Sequence, residues 1–550
     1  MLIFCFIYYN LFTPIYSASE IIIPFAIHPF DICSQNLELW NFIKSVFMIS
    51  FFISNIIISH FIFVRFFKDF LVKKFSIKKK TKFTYKSDLN LLVGKDKDEN
   101  NIVIPESGLY QNFIITGTIG SGKTSSAMYP FTEQLMKYNS THLDDKIGML
   151  ILDVKGNYYK QVELYAKNYN LSNDLIVVDL SNSTFYNPLH KPHLKPLVLA
   201  NRLKTILTLF SENNSESYWL DKAEQIIAEC IKICRLYNDN YVTFSEIHKL
   251  ITSPSYFNEK VHLIRNLFIS CKLSQDQIYE LNSCLDFFQK EFFMLDSRTK
   301  NILISEISRI TNTFISDYNV FSTFCSPKEN LSFLGFNEVI QKGKIVVLNI
   351  NIAEYSLLSK IIAAYLKLDF QSEVLSSLST GNIRKTAFIC DEYDKYCTKN
   401  DADFFSVSRE AKCINIVSTQ SYSSLQNTLS EKATVSVILQ NLINKIWFRT
   451  DDIFTIEEAQ KQLGKEDKEK ISKSFSENAK ETNFNYLLNT FNSQNSNITE
   501  SYSTFIQNDY IYDTHFFTQE LETFSALSFL SNGSSILPPQ KIWLFPYFKK

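Results

Sequence analysis

One short run of residues, 117–124, constrains the fold of this chain more than any other feature. It reads Gly-Thr-Ile-Gly-Ser-Gly-Lys-Thr; the mostly apolar segment 112–116 precedes it, and residues 125–128 continue as a candidate helix. Glycines let a backbone fold around phosphate groups with its N–H groups pointing inward, at the positive end of a helix. A strand, such a loop and a helix form a P-loop, so the sequence predicts an α/β nucleoside triphosphatase core.

The side chains of the loop explain which ligands it would bind. Lys123 is predicted to reach the β- and γ-phosphates, and the hydroxyl of Thr124 is predicted to bind Mg²⁺. We therefore expect ATP and Mg²⁺ as cofactors. The predicted nucleotide-binding residues are Gly117, Thr118, Ile119, Gly120, Ser121, Gly122, Lys123, Thr124 and Ser125.

A P-loop also needs a carboxylate from a neighbouring strand. The apolar segment 386–390 is followed by Asp391 and Glu392, and carboxylates at the ends of strands meet the ligand crevice of an open α/β sheet. Asp391 is predicted to hold Mg²⁺, commonly through water, and Glu392 to polarise the attacking water. Such a pair is elsewhere usually a solvated strand end, and the P-loop favours the functional interpretation.

Two further polar residues are candidates for catalytic roles. Gln420 ends the predicted strand 414–419. An amide there could sense the γ-phosphate or orient water, or could be a hydrogen-bonded strand end. Arg409 lies eleven positions earlier (420 − 409) on a candidate helix. Most helical arginines form surface salt bridges, and this one could instead face the phosphates of a neighbouring subunit.

The N-terminal region carries a membrane signal. Residues 45–64 contain no Lys, Arg, Asp or Glu, and the basic stretch 65–82 follows. This length and flank predict a membrane helix at about 43–64 with everything beyond it in the cytoplasm, although a buried core helix is the alternative. A second membrane helix at about 1–17 is predicted more weakly, since that stretch is broken by Pro14, and a cleaved leader stays possible.

Charge and cysteine content exclude two classes of protein. The net charge of −1 argues against a free-standing basic nucleic-acid binder, so contact with nucleic acid would need local charge, as in the channel of an oligomer. The ten cysteines include no Cys-x-x-Cys motif, which favours reduced, buried thiols over a disulfide framework or a zinc site.

The spacing of the motifs indicates an insertion in the core. Lys123 and Asp391 are 268 positions apart (391 − 123), and apolar residues recur at three- and four-residue spacing over 219–234. This periodicity predicts a helical insertion domain. Residues 465–508 are polar and read as a mobile segment. The predicted parts are a membrane anchor over 1–82, nucleotide-binding regions over 83–190 and 341–464, the insertion over 191–340, the polar segment over 465–508 and a C-terminal part of the core over 509–550.

Taken together, these features resemble the type IV secretion coupling proteins, the TraG and TraD family of conjugative DNA transfer. Two departures from that family are Ile119, where Thr is more usual, and Asn157, where an acidic residue is common. The other elements that carry the resemblance are 101–105, Asp153-Val-Lys155-Gly156, Asn187-Pro188-Leu189, Tyr218-Trp219 and the ending 541–548.

The resemblance implies a RecA-like P-loop core in a hexameric ring, with an all-α insertion and N-terminal transmembrane helices. It implies an ATPase at the bacterial inner membrane that couples a DNA–relaxase complex or protein effectors to a type IV secretion channel. The implied partners are further copies of the chain, channel proteins, relaxase or effector proteins, and single-stranded DNA. The alternatives are a DNA translocase of the FtsK/HerA type and a non-catalytic, nucleotide-gated cargo receptor.

Overall fold

The chain divides into two compact units, Met1–Lys86 and Ser87–Lys550. The computed structural model describes residues 37–62, 88–153, 155–181, 183–210, 217–270, 274–351, 353–381, 383–477, 484–485, 490–491 and 498–548. In the first unit it describes one helix, α1 (Leu37–Ile62). Among the described residues, no helix has the length and apolarity needed to cross a membrane. The predicted helix at 1–17 and the basic stretch 65–82 lie outside the described residues.

The second unit is built on an eleven-stranded sheet with the order β2-β1-β15-β14-β9-β3-β8-β7-β4-β6-β5. The strands from β9 to β5 run parallel, and the four at the other edge add antiparallel pairs. The predicted α/β class is therefore confirmed. The strands of the sheet are β1 (Asn90–Lys95), β2 (Asn101–Pro105), β3 (Phe113–Thr116), β4 (Gly148–Leu152), β5 (Leu175–Val178), β6 (Ile345–Leu348), β7 (Thr386–Cys390), β8 (Cys413–Thr419), β9 (Asn444–Phe448), β14 (Ser525–Phe529) and β15 (Gln540–Trp543).

Helices cover the sheet and fill the long connection between β5 and β6, where the sequence predicts a helical insertion over 191–340. The helices are α2 (Glu106–Leu109), α3 (Tyr129–Lys137), α4 (Tyr158–Asn168), α5 (Pro196–Phe210), α6 (Ser217–Tyr237), α7 (Phe244–Thr252), α8 (Pro254–Ile269), α9 (Gln275–Asp286), α10 (Ser297–Ile315), α11 (Tyr318–Phe324), α12 (Phe336–Lys342), α13 (Ser356–Thr380), α14 (Asp401–Val407), α15 (Tyr422–Leu429), α16 (Lys432–Asn441) and α17 (Ile453–Leu463).

The central strands separate two hydrophobic cores. In β3, Ile114 packs into the core shared with the inserted helices, whereas Phe113 and Ile115 pack on the opposite face. Alternate residues of a strand point to opposite faces, so a strand that is covered on both sides must be apolar throughout. This burial explains the continuous apolar runs in β3, β4 and β7. Polar residues then follow where these strands end.

A buried ionic cluster ties the inserted helices to α13. Asp369 is fully buried, and its carboxylate lies 2.8 Å from the Lys191 ammonium and 2.7 Å from the Arg202 guanidinium. Burial works to raise the pKa of Asp369, but the two positive charges outweigh it and hold the pKa below its usual value. The carboxylate therefore offsets one of the two buried positive charges and is paired with both cations.

The region that the sequence predicts to be mobile contains a long hairpin. Strands β10 (Lys465–Glu477) and β13 (Ile498–Tyr510) pair antiparallel along their whole length. The structure thus differs from the expectation for 465–508, because a continuous backbone ladder joins these mostly exposed strands and cross-strand ion pairs add to it. Lys470 lies 2.8 Å from Asp509, and Lys473 lies 3.3 Å from Glu500. Two short strands that lie between β10 and β13 in the sequence, β11 (Phe484–Asn485) and β12 (Thr490–Phe491), pair with each other.

Removing the central carboxylate of the ionic cluster should destabilise the fold strongly. Asp369→Ala leaves Lys191 and Arg202 buried without a counter-charge, which should lower the free energy of unfolding by about 3–5 kcal/mol. Urea denaturation followed by intrinsic fluorescence measures the change. Asp286→Ala, which removes an exposed partner of Lys290, is the control and should unfold near the wild-type midpoint. An unchanged midpoint for Asp369→Ala would show that the cluster contributes little.

Candidate functional site

The P-loop connects β3 to a helix that starts with a π-helical turn, Thr124–Met128, and continues as α3. Gly120 and Gly122 have φ values of +79° and +102°, in the region that favours glycine. Backbone hydrogen bonds hold the loop against the residues that follow β9 and precede β14. The Thr118 N–H donates to the Arg449 carbonyl over 2.9 Å, and the Phe524 N–H donates to the Ser121 carbonyl over 3.1 Å.

Lys123 lies within the curve of the loop. Its ammonium donates to the carbonyl oxygens of Gly117 and Thr118, the second at 3.2 Å. Burial lowers the pKa of Lys123, although the nearby charge of Asp391 acts in the opposite direction. The geometry places this ammonium inside the same loop that carries the glycines, as a phosphate-binding role requires.

Asp391 lies at the carboxyl end of β7 and is held by three donors. The hydroxyls of Thr124 and Ser418 donate to its carboxylate oxygens over 2.8 Å and 2.5 Å, and the Glu392 N–H donates over 3.1 Å. A hydroxyl and a carboxylate that touch are an all-oxygen donor set, which suits Mg²⁺. Thr124 and Asp391 therefore fit the metal that the sequence predicts for them.

Glu392 is paired with a lysine from a neighbouring loop. The Lys155 ammonium lies 2.6 Å from Glu392 Oε1. Burial works to lower the pKa of Lys155, but its hydrogen bond to Glu392 and the charge of that carboxylate raise it overall. The Asp153 carboxylate positions the lysine by accepting the backbone N–H groups of Lys155, Asn157 and Tyr158 over 3.0, 3.0 and 3.1 Å.

A cavity of about 320 Å³ joins these groups. Gln420 lines it together with Lys155, Asp391 and Glu392. Of the predicted loop residues, Gly117 and Ser121 do not line the cavity, and those that do are Thr118, Ile119, Gly120, Gly122, Lys123, Thr124 and Ser125. The structure thus brings most of the predicted site residues to one place.

Arg409 lies apart from this cavity. It is exposed in the turn after α14, so the expectation of a helical position differs from the structure by two residues. The Cys413 N–H donates to the Ser408 carbonyl over 3.0 Å, which closes the turn that leads into β8. Within the described part of the chain, the Arg409 guanidinium has no ion-pair partner. A role at the phosphates of another subunit stays a prediction.

The C-terminal segment closes one side of the site. The Tyr547 N–H donates to the Ser125 carbonyl over 2.9 Å, and the Tyr547 ring lies 5.2 Å from the Tyr129 ring, edge to face. Both rings line the cavity. Sequence reasoning singled out the ending 541–548 only as part of a resemblance and gave Tyr129 no role. Their places depend on tertiary packing, for which a single sequence carries no local signal.

Comparisons with known proteins show which family and fold the chain resembles. Residues 385–510 match the family model described as "TraM recognition site of TraD and TraG". The fold is similar to the bacterial conjugative coupling protein TrwB in its unbound form (TM-score 0.54, 12% identity, 84% of this chain and 89% of that chain). TrwB in complex with the GTP analogue GDPNP gives a TM-score of 0.52 at 12% identity, covering 84% and 90%.

TrwB in complex with ADP and Mg²⁺ gives a TM-score of 0.50 at 12% identity, covering 80% of this chain and 87% of that chain. No curated protein sequence matches the chain significantly. The family-model match and the shared fold confirm the predicted resemblance to the TraG/TraD coupling proteins. At 12% identity, the structural matches show similarity of the fold alone.

Two glycines of the loop offer a matched test of its shape. A Cβ on Gly122 would lie 2.6 Å from Phe524 Cδ1, whereas a Cβ on Gly120 would meet no atom within 4 Å. Both substitutions share the strain of a positive φ, so their difference isolates the contact with Phe524. We expect Gly122→Ala to cost about 1–3 kcal/mol more nucleotide-binding free energy than Gly120→Ala. Calorimetric Kd values for ADPNP with Mg²⁺ measure this, and equal losses would contradict it.

Proposed function

We propose that this chain, which resembles the TraG/TraD coupling proteins in sequence and fold, is a membrane-anchored ATPase of type IV secretion. It couples a DNA–relaxase complex or protein effectors to the secretion channel and powers their transfer. The observation that carries the proposal is the meeting of Lys123, Thr124, Asp391 and Glu392 around one cavity. These residues supply the charge, metal ligands and catalytic carboxylate that phosphoryl transfer to water requires.

Each residue has a defined task in the proposed hydrolysis. Lys123 neutralises charge on the β- and γ-phosphates, and Thr124 and Asp391 hold Mg²⁺. The metal, when bound, offsets the negative charge that develops on the phosphate oxygens. Glu392 accepts a hydrogen bond from the attacking water, and Gln420 lies at the cavity wall where it can orient that water.

The assembly and its cargo are part of the same proposal. A RecA-like core in a hexameric ring, anchored to the bacterial inner membrane by N-terminal helices, would place single-stranded DNA or an effector in its channel. Support comes from the resemblance and from the match of residues 385–510 to a region named for recognition of TraM. A protein that accompanies the relaxase is therefore a fitting partner for that region.

Two substitutions separate nucleotide binding from turnover. Lys123→Ala removes the charge beside the transferred phosphoryl group, so phosphate release should fall to background. Glu392→Gln keeps the shape but weakens the polarisation of water, so it should slow turnover by roughly 10²- to 10⁴-fold while bound ATP persists. Phosphate release and filter retention of labelled ATP measure the two effects. Wild-type hydrolysis by Lys123→Ala would refute the proposed motor.

A mixing experiment tests whether Arg409 acts on a neighbouring subunit. An arginine aimed at the γ-phosphate contributes roughly three to five orders of magnitude in rate where it has been measured. Arg409→Ala protein should therefore bind ATP normally and fail to hydrolyse it. Mixed with Lys123→Ala protein, some interfaces would join an intact P-loop to an intact arginine, and partial activity should return. Full activity of Arg409→Ala alone, or inactive mixtures despite proven subunit exchange, would exclude the role.

A further inference from the structure

The pair formed by Lys155 and Glu392 bears directly on the proposed catalytic carboxylate. An ammonium 2.6 Å from Oε1 makes a charge-assisted hydrogen bond to that oxygen. A carboxylate oxygen engaged in this way is less available to accept a hydrogen bond from water, which is the task of a general base. Whether Lys155 is paired with Glu392 therefore affects the ability of Glu392 to act as a general base.

The two side chains of this ion pair differ in how far they can move. The Glu392 side chain is only 14% exposed, and its backbone is held in a left-handed conformation with φ of +52°. The Lys155 side chain is 59% exposed, while its backbone N–H is anchored to Asp153. A lysine on a flexible four-carbon stem can change partners while its backbone stays in place. Lys155 is thus the movable end and Glu392 the fixed end.

The cavity offers Lys155 a second kind of partner. Lys123 and Lys155 line the same cavity. Burial lowers the pKa of Lys123 most, and the charge of Lys155 lowers it further, so the two ammonium groups repel each other there. Two positive charges in one cavity favour a ligand with several negative charges. The terminal phosphate of a nucleoside triphosphate is such a ligand and would compete with Glu392 for Lys155.

We propose that Lys155 is a positioning residue shared between Glu392 and the terminal phosphate of a bound nucleoside triphosphate. While paired with Glu392 it holds the carboxylate back from water, and when drawn to the phosphate it releases the carboxylate. A nucleoside diphosphate lacks the terminal phosphate that draws Lys155 away from Glu392. The position of Lys155 therefore differs between bound nucleoside triphosphate and bound nucleoside diphosphate. This inference rests on the proposed function and adds a regulatory step at the same site.

The first test compares nucleotide binding by the full-length chain in detergent. Lys155→Met should raise the Kd for ADPNP–Mg²⁺ by roughly tenfold, the size of one hydrogen bond to a charged group, and leave the Kd for ADP–Mg²⁺ within about twofold. Lys155→Arg keeps the charge and should restore most of the ADPNP affinity. Unchanged ADPNP affinity, or an equal loss for ADP, would overturn the proposal.

Lys399→Met is the matched control for that comparison. Lys399 forms an ion pair of the same length, 2.6 Å, with Glu431, and it has the same exposure, 59%. It does not line the cavity. Both Kd values should therefore stay at the wild-type level in this variant, and thermal melting should show that both lysine variants are folded.

The second test follows the Lys155 amine itself by acylation and mass spectrometry. Acylation needs the unprotonated amine, which pairing with an anion suppresses. In Glu392→Gln protein, Lys155 should be labelled several-fold faster than in wild type, slow again with ADPNP–Mg²⁺ and stay fast with ADP–Mg²⁺. Lys399 in the same samples should keep one rate throughout. Fast labelling of Lys155 with ADPNP present would show that the phosphate does not take the lysine.

The outcomes also separate this inference from the proposed function. If wild-type protein hydrolyses no more ATP than Lys123→Ala protein, the proposed function fails, while the binding and labelling results still decide the role of Lys155. If hydrolysis depends on Lys123 but Lys155→Met binds ADPNP and ADP as wild type does, only the sharing of Lys155 is refuted.

Discussion

The site depends on one hydrogen bond between residues that are distant in sequence. The Thr124 hydroxyl donates to the Asp391 carboxylate over 2.8 Å although 267 positions separate them. The parallel order β3-β8-β7 makes this contact possible, because it brings the carboxyl ends of these strands to one edge of the sheet. The insertion between β5 and β6 can be long because it leaves this edge unchanged.

The inserted helices and the site meet through α13. On one side of this helix, Asp369 binds Lys191 and Arg202 from the insertion. Two residues earlier, the fully buried Lys367 lies 2.6 Å from Asp401, whose carboxylate also accepts the Tyr393 hydroxyl over 2.6 Å. Tyr393 directly follows Glu392. A buried ion pair that loses one partner is strongly destabilising. A shift of α13 would therefore disturb both its contacts with the insertion and its contacts beside Glu392.

Much of this arrangement could be predicted from the sequence where the signal is local. The P-loop is contiguous, and Asp391-Glu392 follows an apolar strand, so both are visible without a structure. The partner of Lys155 is not visible, because it depends on how the loop after β4 folds over Asp153. The hairpin of β10 and β13 was missed for a related reason, since its strands are polar and lack the apolar alternation that marks a half-buried strand.

The backbone conformation at Glu392 shows how the surrounding fold determines the orientation of the Glu392 carboxylate. A non-glycine residue with φ of +52° costs on the order of 1–3 kcal/mol and persists only where neighbouring contacts over-determine it. The next residues supply those contacts. Tyr393 is fully buried, the Asp394 carboxylate accepts the Thr419 hydroxyl over 3.1 Å, and the Asp394 carbonyl accepts the Thr428 hydroxyl over 2.8 Å. The chain after Glu392 is therefore fixed by β8 and α15, and the strain is retained at the residue whose side chain faces Lys155 and the cavity.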